Sequence, residues 1–335
     1  MKSYRLNSFG LDGLRLEESI PAEPGPGQIG VAIKAVSLNY RDLLMVTGLY
    51  DKNLAMPMTP CSDGAGEVIA VGPGVTQHKI GDRVVGGSMQ GWVSGPYDRE
   101  KSKTALGGAL PGTLATQVIW EANASVPIPE YMTFEEAATL PCAAVTAWNA
   151  LFEDRPIRPG ETVLVQGTGG VSIFALQLAH AAGAKVIVTS SSDEKLARAK
   201  ALGAWETINY RSVPQWGADA RRMTGGGVDC VVEVGGAGTL KQSLDAVRFE
   251  GRINLIGVLS GAVGEIPTTM ILHKAAHLRG IYVGSVEMLR SLVMALETNS
   301  IRPQIGSKFD FEHVHEAMQL MESAGHFGKI VISVP

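Results

Sequence analysis

Short apolar runs and segments of helical periodicity alternate regularly over the second half of the chain. The run at residues 162–165 is apolar and β-branched, which is typical of a strand buried on both faces of a parallel sheet. The predicted strands lie at 162–165, 185–189, 206–209, 229–234, 251–258 and 278–283. The predicted helices between them lie at 171–182, 193–202, 215–223 and 239–247. Strands that alternate with helices in this way predict an α/β fold with a doubly wound parallel sheet.

The first third of the chain has a different pattern, in which short alternating runs are interrupted by Gly and Pro. Its predicted strands lie at 30–38, 64–72, 82–86 and 113–120, and they indicate an irregular, mostly β domain. Residues 38–49 form a short helical or loop segment within it. The long polar stretch at 86–110 is typical of a lid or a flexible loop.

The segments that flank the α/β pattern are predicted separately. Thr133 is expected to cap a helix, because two glutamates follow it in the first turn. After the sheet, helices at 286–298 and 312–323 and a strand at 328–334 are expected to return to the first domain.

Length, charge and cysteine content narrow the class of protein. A chain of 335 residues exceeds the usual size of one core, which favours two domains. A net charge of −4 supplies no basic surface for nucleic acid or for an anionic membrane. No apolar run is long enough to span a bilayer, and Cys61, Cys142 and Cys230 have no paired spacing. We expect a cytoplasmic protein with reduced thiols and without nucleic-acid or membrane partners.

A glycine-rich loop follows the first strand of the α/β pattern. Gly167 permits a tight turn, Gly169 allows the backbone to approach a pyrophosphate, and the helix that follows offers free N–H groups. The loop residues Gly167, Thr168, Gly169, Gly170 and Val171 are therefore predicted to bind a dinucleotide. Ser172 replaces the usual third glycine, and it is small enough for close helix packing. The alternative is a turn that serves only the fold.

The end of the second strand of this pattern indicates which dinucleotide is bound. NAD sites place an acidic side chain there, whereas this chain has Ser190, Ser191 and Ser192, with Lys195 one turn into the next helix. Asp193 is expected to be engaged as the helix N-cap. A serine cluster with a nearby lysine suits a 2′-phosphate, so the pattern predicts NADPH. The alternative is a polar turn with loose coenzyme choice.

The order of domains and several local motifs together resemble the medium-chain dehydrogenase/reductase superfamily, in its zinc-free quinone oxidoreductase-like branch. The motifs are NYRD at 39–42, SDGAGEV at 62–68, LPCAAVTAW at 140–148, VQGTGGVS at 165–172, INYR at 208–211 and GKIVI at 328–332. The resemblance implies a GroES-like β domain at 1–127 and 285–335 and a Rossmann domain at 128–284. It further implies a homodimer that pairs through the strand at 278–283, with a loop that covers this strand as the alternative. It also places five residues at the cofactor: Thr146, Tyr210, Gly257, Val283 and Lys329.

The resemblance also identifies the positions at which zinc-dependent members bind their metal. Asn39, Ser62 and Cys142 occupy those positions, and a single thiol with an amide and a hydroxyl does not make a tight zinc site. Arg41 stands where the zinc enzymes carry a proton-relay hydroxyl, and the four-cysteine structural zinc site cannot exist with three cysteines. We therefore expect no metal, and a packed Cys142 rather than a nucleophile.

Without a Lewis acid, the accessible substrates are those whose conjugation spreads negative charge as hydride arrives, namely quinones and α,β-unsaturated carbonyls. The pocket donors expected from this resemblance are Asn39, Tyr40, Arg41 and Tyr50, with Gln90 and Trp92 as a wall or lid. Two alternatives stay open: a zinc-type alcohol dehydrogenase, and a non-catalytic NADPH-binding protein.

Overall fold

The computed structural model describes all 335 residues, and they form two compact units. The first unit comprises Met1–Val145 and Gly284–Pro335, and the second comprises Thr146–Val283. Residues 128–145 belong to the first unit, whereas the sequence assigned them to the second domain. They do so because a short helix at Phe134–Ala137 and a π-helical turn at Leu140–Ala144 pack on strands of the first unit.

The first unit is mostly β structure. With elements numbered in chain order over both units, its strands are β1 (Lys2–Leu6), β2 (Leu14–Glu18), β3 (Gln28–Leu38), β4 (Asp63–Val71), β5 (Arg83–Gly86), β6 (Gln117–Glu121), β7 (Ser125–Pro127), β14 (Ile305–Asp310) and β15 (Lys329–Ser333). Its helices are α1 (Tyr40–Val46), α2 (Arg99–Ser102), α3 (Phe134–Ala137), α10 (Val286–Thr298) and α11 (Val314–Glu322).

One sheet with the strand order β14-β15-β3-β4-β5-β7 organises this unit, and β6 also pairs with β3. The C-terminal strand β15 runs antiparallel to β3, with Ile330 opposite Leu38. The tail of the chain therefore pairs with the sheet of the first unit. Because Ile330 faces Leu38, the register brings Lys329 beside Asn39, the residue that begins the turn into α1.

The second unit alternates strands and helices. Its strands are β8 (Thr162–Gln166), β9 (Lys185–Ser190), β10 (Glu206–Asn209), β11 (Val228–Glu233), β12 (Val247–Leu255) and β13 (His277–Gly280). Its helices are α4 (Val145–Phe152), α5 (Gly170–Ala181), α6 (Asp193–Ala201), α7 (Trp216–Thr224), α8 (Leu240–Ala246) and α9 (Thr268–Lys274). The first residue of α4 is the last residue of the first unit.

All strand pairs of this second sheet are parallel, in the order β10-β9-β8-β11-β12-β13. The predicted doubly wound parallel sheet is thus confirmed, with β8 and β11 at its centre, where the strand order reverses. Their carboxyl ends define the edge at which open α/β sheets bind ligands. No helix of the chain combines the length and the apolar character needed to cross a lipid bilayer.

Candidate active site and dinucleotide site

The glycine loop joins β8 to α5 at the carboxyl edge of the parallel sheet. Gly167 has a φ of 72°, and its N–H donates to Thr189 O at 2.8 Å, so the chain turns sharply beside β9. A Cβ added at Gly167 or at Gly169 would meet no atom within 4 Å. No side chain caps the N-terminus of α5. An open cradle beside uncapped N–H groups fits the diphosphate of a dinucleotide.

Ser172 follows the expectation that a small residue suffices at the third glycine position. Its side chain is buried, and Ser172 Oγ donates to Gln166 O at 2.6 Å. The hydroxyl therefore ties the first turn of α5 back to the end of β8, and the loop residues between them, including Thr168, Gly170 and Val171, are held at both ends.

The serine cluster ends β9 and begins α6. Ser190 is buried, and its Oγ accepts from the N–H of Ser192 at 3.3 Å. The N-cap of α6 is Ser192, which accepts from Lys195 N, so the expectation that Asp193 caps this helix was wrong. Asp193 instead accepts from Asn209 Nδ2 at 2.7 Å, because the side chain lies toward the end of β10.

The side chains available to a 2′-phosphate lie around this strand end. Ser191 and Lys195 are partly exposed, and Tyr210 is exposed just beyond β10, where its N–H donates to Ser190 O at 3.0 Å. Partial burial lowers the pKa of Lys195 from its usual value, yet the ammonium remains the cationic group nearest in sequence to the serines. No acidic residue occupies the end of β9.

The other residues implied at the cofactor are held rigidly. Thr146 is buried in the first turn of α4. Gly257 N–H lies 3.3 Å from Glu233 O, and a Cβ there would come within 2.4 Å of Val234 O, so this position requires glycine. Val283 has a φ of 49°, which is unusual for a β-branched residue. Asn149 Nδ2 donates to Val283 O at 2.8 Å and fixes this conformation.

A second polar cluster lies where β3 turns into α1 in the first unit. Lys329 is buried, and its Nζ donates to Leu38 O and to Asn39 Oδ1, each at 2.6 Å. The β15–β3 register directs the ammonium to Asn39, and the contact with a pyrophosphate that the resemblance implied stays a prediction. The Asn39 amide nitrogen is buried and makes no hydrogen bond of good geometry.

Two buried carboxyl groups accompany this amide. Asp42 Oδ2 accepts from Asn39 N at 2.8 Å, and Asp63 accepts from Ser62 Oγ at 2.7 Å and from Cys142 N at 3.1 Å. Burial raises the pKa of Asp42 to about 6, although Arg41 and Lys329 oppose the shift. Burial also raises the pKa of Asp63, against Lys329 and the nearby Asn39 amide. The cluster therefore balances two acids against two cations.

The remaining predicted catalytic residues lie on and after α1. Arg41 Nη1 donates to Leu106 O at 2.9 Å, and its guanidinium carbon lies 5.8 Å from the centre of the Tyr50 ring. Tyr40 and Tyr50 are 39% and 44% exposed, so both can contact a ligand. The structure thus brings Arg41 to Tyr50, while Asn39 is paired with Lys329.

Gln90 and Trp92 are held in place by their own unit, and their expected role as a wall or lid stays a prediction. Both are buried: Gln90 Nε2 donates to Gly87 O at 2.8 Å, and Gln90 Oε1 accepts from Glu121 N at 2.8 Å. We define residues 91–104 as the lobe. The centres of the Trp92 and Tyr97 rings lie 5.0 Å apart within it, with the rings tilted by 44°, and Trp92 O accepts from Val286 N at 3.0 Å. These contacts anchor the lobe to its own unit.

Comparison with known proteins places this geometry in a family. Residues 25–130 match the alcohol dehydrogenase GroES-like domain, and residues 170–298 match the zinc-binding dehydrogenase domain. A zinc-type alcohol dehydrogenase-like protein, C1773.06c of Schizosaccharomyces pombe, is 45% identical over 97% of this chain and 96% of its own length. The chain belongs to the medium-chain dehydrogenase/reductase superfamily. The resemblance found in the sequence is confirmed, and the chain is an oxidoreductase with a GroES-like and a Rossmann-like domain.

Other relatives differ in the activity for which they are named. Quinone oxidoreductase-like protein 2 of Bos taurus is 29% identical over 96% of this chain and 89% of its own length. A putative alcohol dehydrogenase from Sinorhizobium meliloti 1021 matches with a TM-score of 0.92 and 41% identity over 99% of this chain and 98% of its own. An NAD-dependent alcohol dehydrogenase matches with a TM-score of 0.92 and 34% identity, covering 100% of both chains. Mycobacterial Rv1454c complexed with NADPH matches with a TM-score of 0.84 and 26% identity, covering 99% of both chains.

One of the two matching domains is a zinc-binding dehydrogenase domain, so we ask whether Asn39, Ser62 and Cys142 could hold zinc. Asn39 Oδ1 already accepts from an ammonium, and Ser62 Oγ donates to Asp63. Burial and the Asp63 carboxylate raise the pKa of the Cys142 thiol to about 12, so the thiolate that zinc prefers is disfavoured. No group of three His, Cys, Asp or Glu side chains is arranged to hold a metal ion. These residues do not fit a catalytic zinc.

Sequence reasoning missed the acidic part of the cluster. Asp42 lies three residues after Asn39, the spacing of a capping box, which could have predicted its hydrogen bond to Asn39 N. Asp63 and Lys329 carried no such local signal, because only the pairing of distant strands brings them to Asn39.

Proposed function

We propose that this chain is a zinc-independent, NADPH-dependent reductase of quinones or α,β-unsaturated carbonyls. The observation that carries the proposal is the bond from Lys329 Nζ to Asn39 Oδ1 at 2.6 Å. A cation that occupies the amide oxygen turns the buried amide nitrogen toward Asp63, so Asn39 has no oxygen left for a metal ion. The same cation disfavours a metal ion at this position.

The coenzyme proposal rests on the end of β9. Ser190, Ser191 and Lys195, with Tyr210 beyond β10, offer donors and a positive charge and no carboxylate. Such a site favours a 2′-phosphate over a 2′-hydroxyl. One relative is an NAD-dependent alcohol dehydrogenase and another is complexed with NADPH, so the local residues decide our choice.

NADPH, when bound, supplies a hydride to the acceptor. In the proposed reaction, the Arg41 guanidinium and the exposed Tyr40 and Tyr50 hydroxyls donate to the acceptor oxygen, and the buried Asn39 amide holds the start of α1 that carries Tyr40 and Arg41. A quinone or enone needs no Lewis acid, because its own conjugation carries the negative charge to that oxygen. Water can supply the final proton. The bovine quinone oxidoreductase-like relative supports this acceptor class.

The proposal is tested by NADPH consumption with 1,4-benzoquinones, naphthoquinones and enals, and by NADP⁺ reduction with simple alcohols, each with and without a chelator. We expect turnover of the conjugated acceptors that the chelator leaves unchanged. Turnover of alcohols alone, lost on chelation, would establish the zinc-type alternative. NADPH binding without any turnover would identify a non-catalytic binding protein.

We also propose a homodimer. Strand β13 lies at the outer edge of the parallel sheet, and Leu278 on it and Leu272 on α9 are exposed, at 36% and 75%. An exposed strand with apolar neighbours favours pairing with a second copy. Light scattering with size-exclusion chromatography should give twice the mass of 35.4 kDa; the mass of one chain would contradict it.

A further inference from the structure

We propose that Glu233 is a positioning residue that holds three loops at the carboxyl edge of the parallel sheet in the shape that binds the dinucleotide. This inference rests on the proposed binding of NADPH by the second unit. Glu233 ends β11, next to the point where the strand order reverses, and its side chain is fully buried.

The Glu233 carboxyl group is satisfied entirely by neutral donors. Its Oε1 accepts from Gly235 N at 2.8 Å, from Gly236 N at 3.0 Å and from Thr239 Oγ1 at 2.6 Å. Its Oε2 accepts from Gln166 Nε2 at 2.6 Å and from Ser243 Oγ. Five donors therefore converge on one buried acidic group that forms no ion pair among the salt bridges of the chain.

Gln166 extends this network to the glycine loop. It is the last residue of β8, immediately before Gly167, and its backbone oxygen accepts from Ser172 Oγ. Its side-chain oxygen faces the loop after β11, where Gly235 N lies at 3.2 Å. The Gln166 amide therefore presents its nitrogen to Glu233 and its oxygen to the same loop, so the two side chains lock each other's orientation.

The third loop follows β12. Glu233 O accepts from Ile256 N at 2.8 Å, and Gly235 O accepts from Ser260 N at 2.7 Å. Gly236, with a φ of 83°, packs so closely that a Cβ would lie 2.6 Å from Gly261 O. A shift of residues 234–239 would consequently move residues 256–261 as well, a segment that includes Gly257.

The placement of this network distinguishes it from ordinary core satisfaction. Burying a carboxyl group is costly unless it is fully hydrogen-bonded, and here three of the five donors, Gly235 N, Gly236 N and Thr239 Oγ1, belong to the loop at the ligand edge. Asp229 on the same strand offers the contrast. It accepts from Thr162 N at 2.8 Å and from Arg248 Nε at 2.6 Å, at the opposite end of β11.

The experiment compares NADPH dissociation constants, from coenzyme fluorescence, for the full-length wild type, Glu233→Gln, the exchange Glu233→Gln with Gln166→Glu, and Asp229→Asn. Glu233→Gln places an NH₂ group among donors, so we expect about tenfold weaker NADPH binding. The double variant keeps one carboxyl and one amide in contact. Its NADPH affinity should recover at least half of that loss, measured on the logarithm of the dissociation constant. Asp229→Asn should change binding less than about twofold, whatever its effect on unfolding.

Hydrogen exchange gives a readout that does not depend on the coenzyme. The amide hydrogens of Gly235 and Gly236 should exchange faster in Glu233→Gln. Their protection should return in the double variant with Gln166→Glu, and Asp229→Asn should leave it unchanged. A wild type that does not bind NADPH refutes the proposed function itself. If the wild type binds, equal affinity in Glu233→Gln, an equal loss in Asp229→Asn, or no recovery by the exchange would overturn the role of Glu233.

Discussion

The Lys329 ammonium lies 2.6 Å from Asn39 Oδ1, although 290 positions separate the two residues in the chain. The contact follows from the antiparallel pairing of β15 with β3, which sets Ile330 opposite Leu38. A buried charged donor fixes which way an amide is turned, because reversing it would set an NH₂ group against NH₃⁺. Lys329 thus determines whether Asn39 offers a donor or an acceptor.

Replacing Lys329 separates two roles for this lysine. Lys329→Met should lower kcat with a naphthoquinone by at least about tenfold, because the Asn39 amide loses its orientation. The KM for NADPH should change less than about twofold. If Lys329 contacted the pyrophosphate, its loss would instead raise this KM strongly. Steady-state kinetics with each substrate varied in turn decide between them. Lys308→Met, an exposed lysine on neighbouring β14, is the matched control.

The buried amide of Asn39 is tested by Asn39→Asp. A carboxylate pairs with Lys329 and keeps the side-chain shape, but it replaces the N–H groups beside Asp63 with a negative charge. Turnover of quinones should fall at least about tenfold while NADPH affinity is retained, because repulsion from Asp63 disturbs the turn that carries Tyr40 and Arg41. An Asn39→Asp variant with full turnover would show that this amide does not hold the pocket donors in place.

The open cradle of the glycine loop predicts a separation of binding from stability. Gly169 has an extended backbone, with φ −76° and ψ −177°, which valine adopts readily, and its Cβ would meet nothing. Gly169→Val should leave the melting temperature within about 2 °C and weaken NADPH binding at least about tenfold, because the side chain fills the space for the diphosphate. Gly226→Val, also in open space beyond α7, should change neither quantity. Calorimetry and fluorescence titration measure the two.

Coenzyme choice is tested at the start of α6. Lys195→Glu replaces the cation near Ser190 and Ser191 with an anion, which repels a 2′-phosphate and tolerates a 2′-hydroxyl. The ratio of kcat/KM for NADPH to that for NADH should fall at least about tenfold. Lys241→Glu, at an exposed position of α8, is a control of the same charge change. An unchanged ratio would remove Lys195 from the 2′-phosphate site.

The raised pKa of Asp42 predicts a dependence of stability on pH. Burial raises this pKa to about 6 from 3.8, so the folded protein binds more protons than the unfolded chain between these values. The contribution of Asp42 to the free energy of unfolding is therefore greatest below about pH 4 and is lost as the pH rises through about 6. Arg41, Asp63 and Lys329 face the same carboxyl group, and they remain in the variant.

Asp42→Asn removes this titration and keeps an acceptor for Asn39 N. Between pH 4 and 7, the variant should gain about 2 kcal/mol of unfolding free energy relative to the wild type. Urea denaturation at several pH values measures the difference. A difference that stays constant over this range would show that Asp42 does not titrate there.

The sheet of the second unit was predictable because its strands are buried on both faces and its loops carry glycine signals. Helix α9 was missed, since its apolar residues are largely exposed, as Leu272 illustrates. The hairpin β1–β2 and strand β14 were missed as well, because their exposed, charged positions weaken the alternation on which a strand prediction depends.

The candidate site was predictable only where its parts are local in sequence. The glycine loop and the serine cluster each lie within one turn between a strand and a helix. Asn39 was found by resemblance, but its partners Lys329 and Asp63 depend on strand register, which no short pattern encodes. The length of their loop predicted a wall or lid at Gln90 and Trp92. The loop length could not predict that both side chains are buried and hydrogen-bonded to their own loop.

The lobe at residues 91–104 is closed by the Trp92–Tyr97 ring pair and by Asp98, whose carboxylate caps α2 by accepting from Lys101 N at 2.9 Å. The groups that close it are the side chains of ordinary amino acids, and residues 91–104 contain no cysteine. Maturation of this segment in the cell is therefore indifferent to metal scarcity and to thiol oxidants, both of which would disable a lobe pinned through cysteine sulfur.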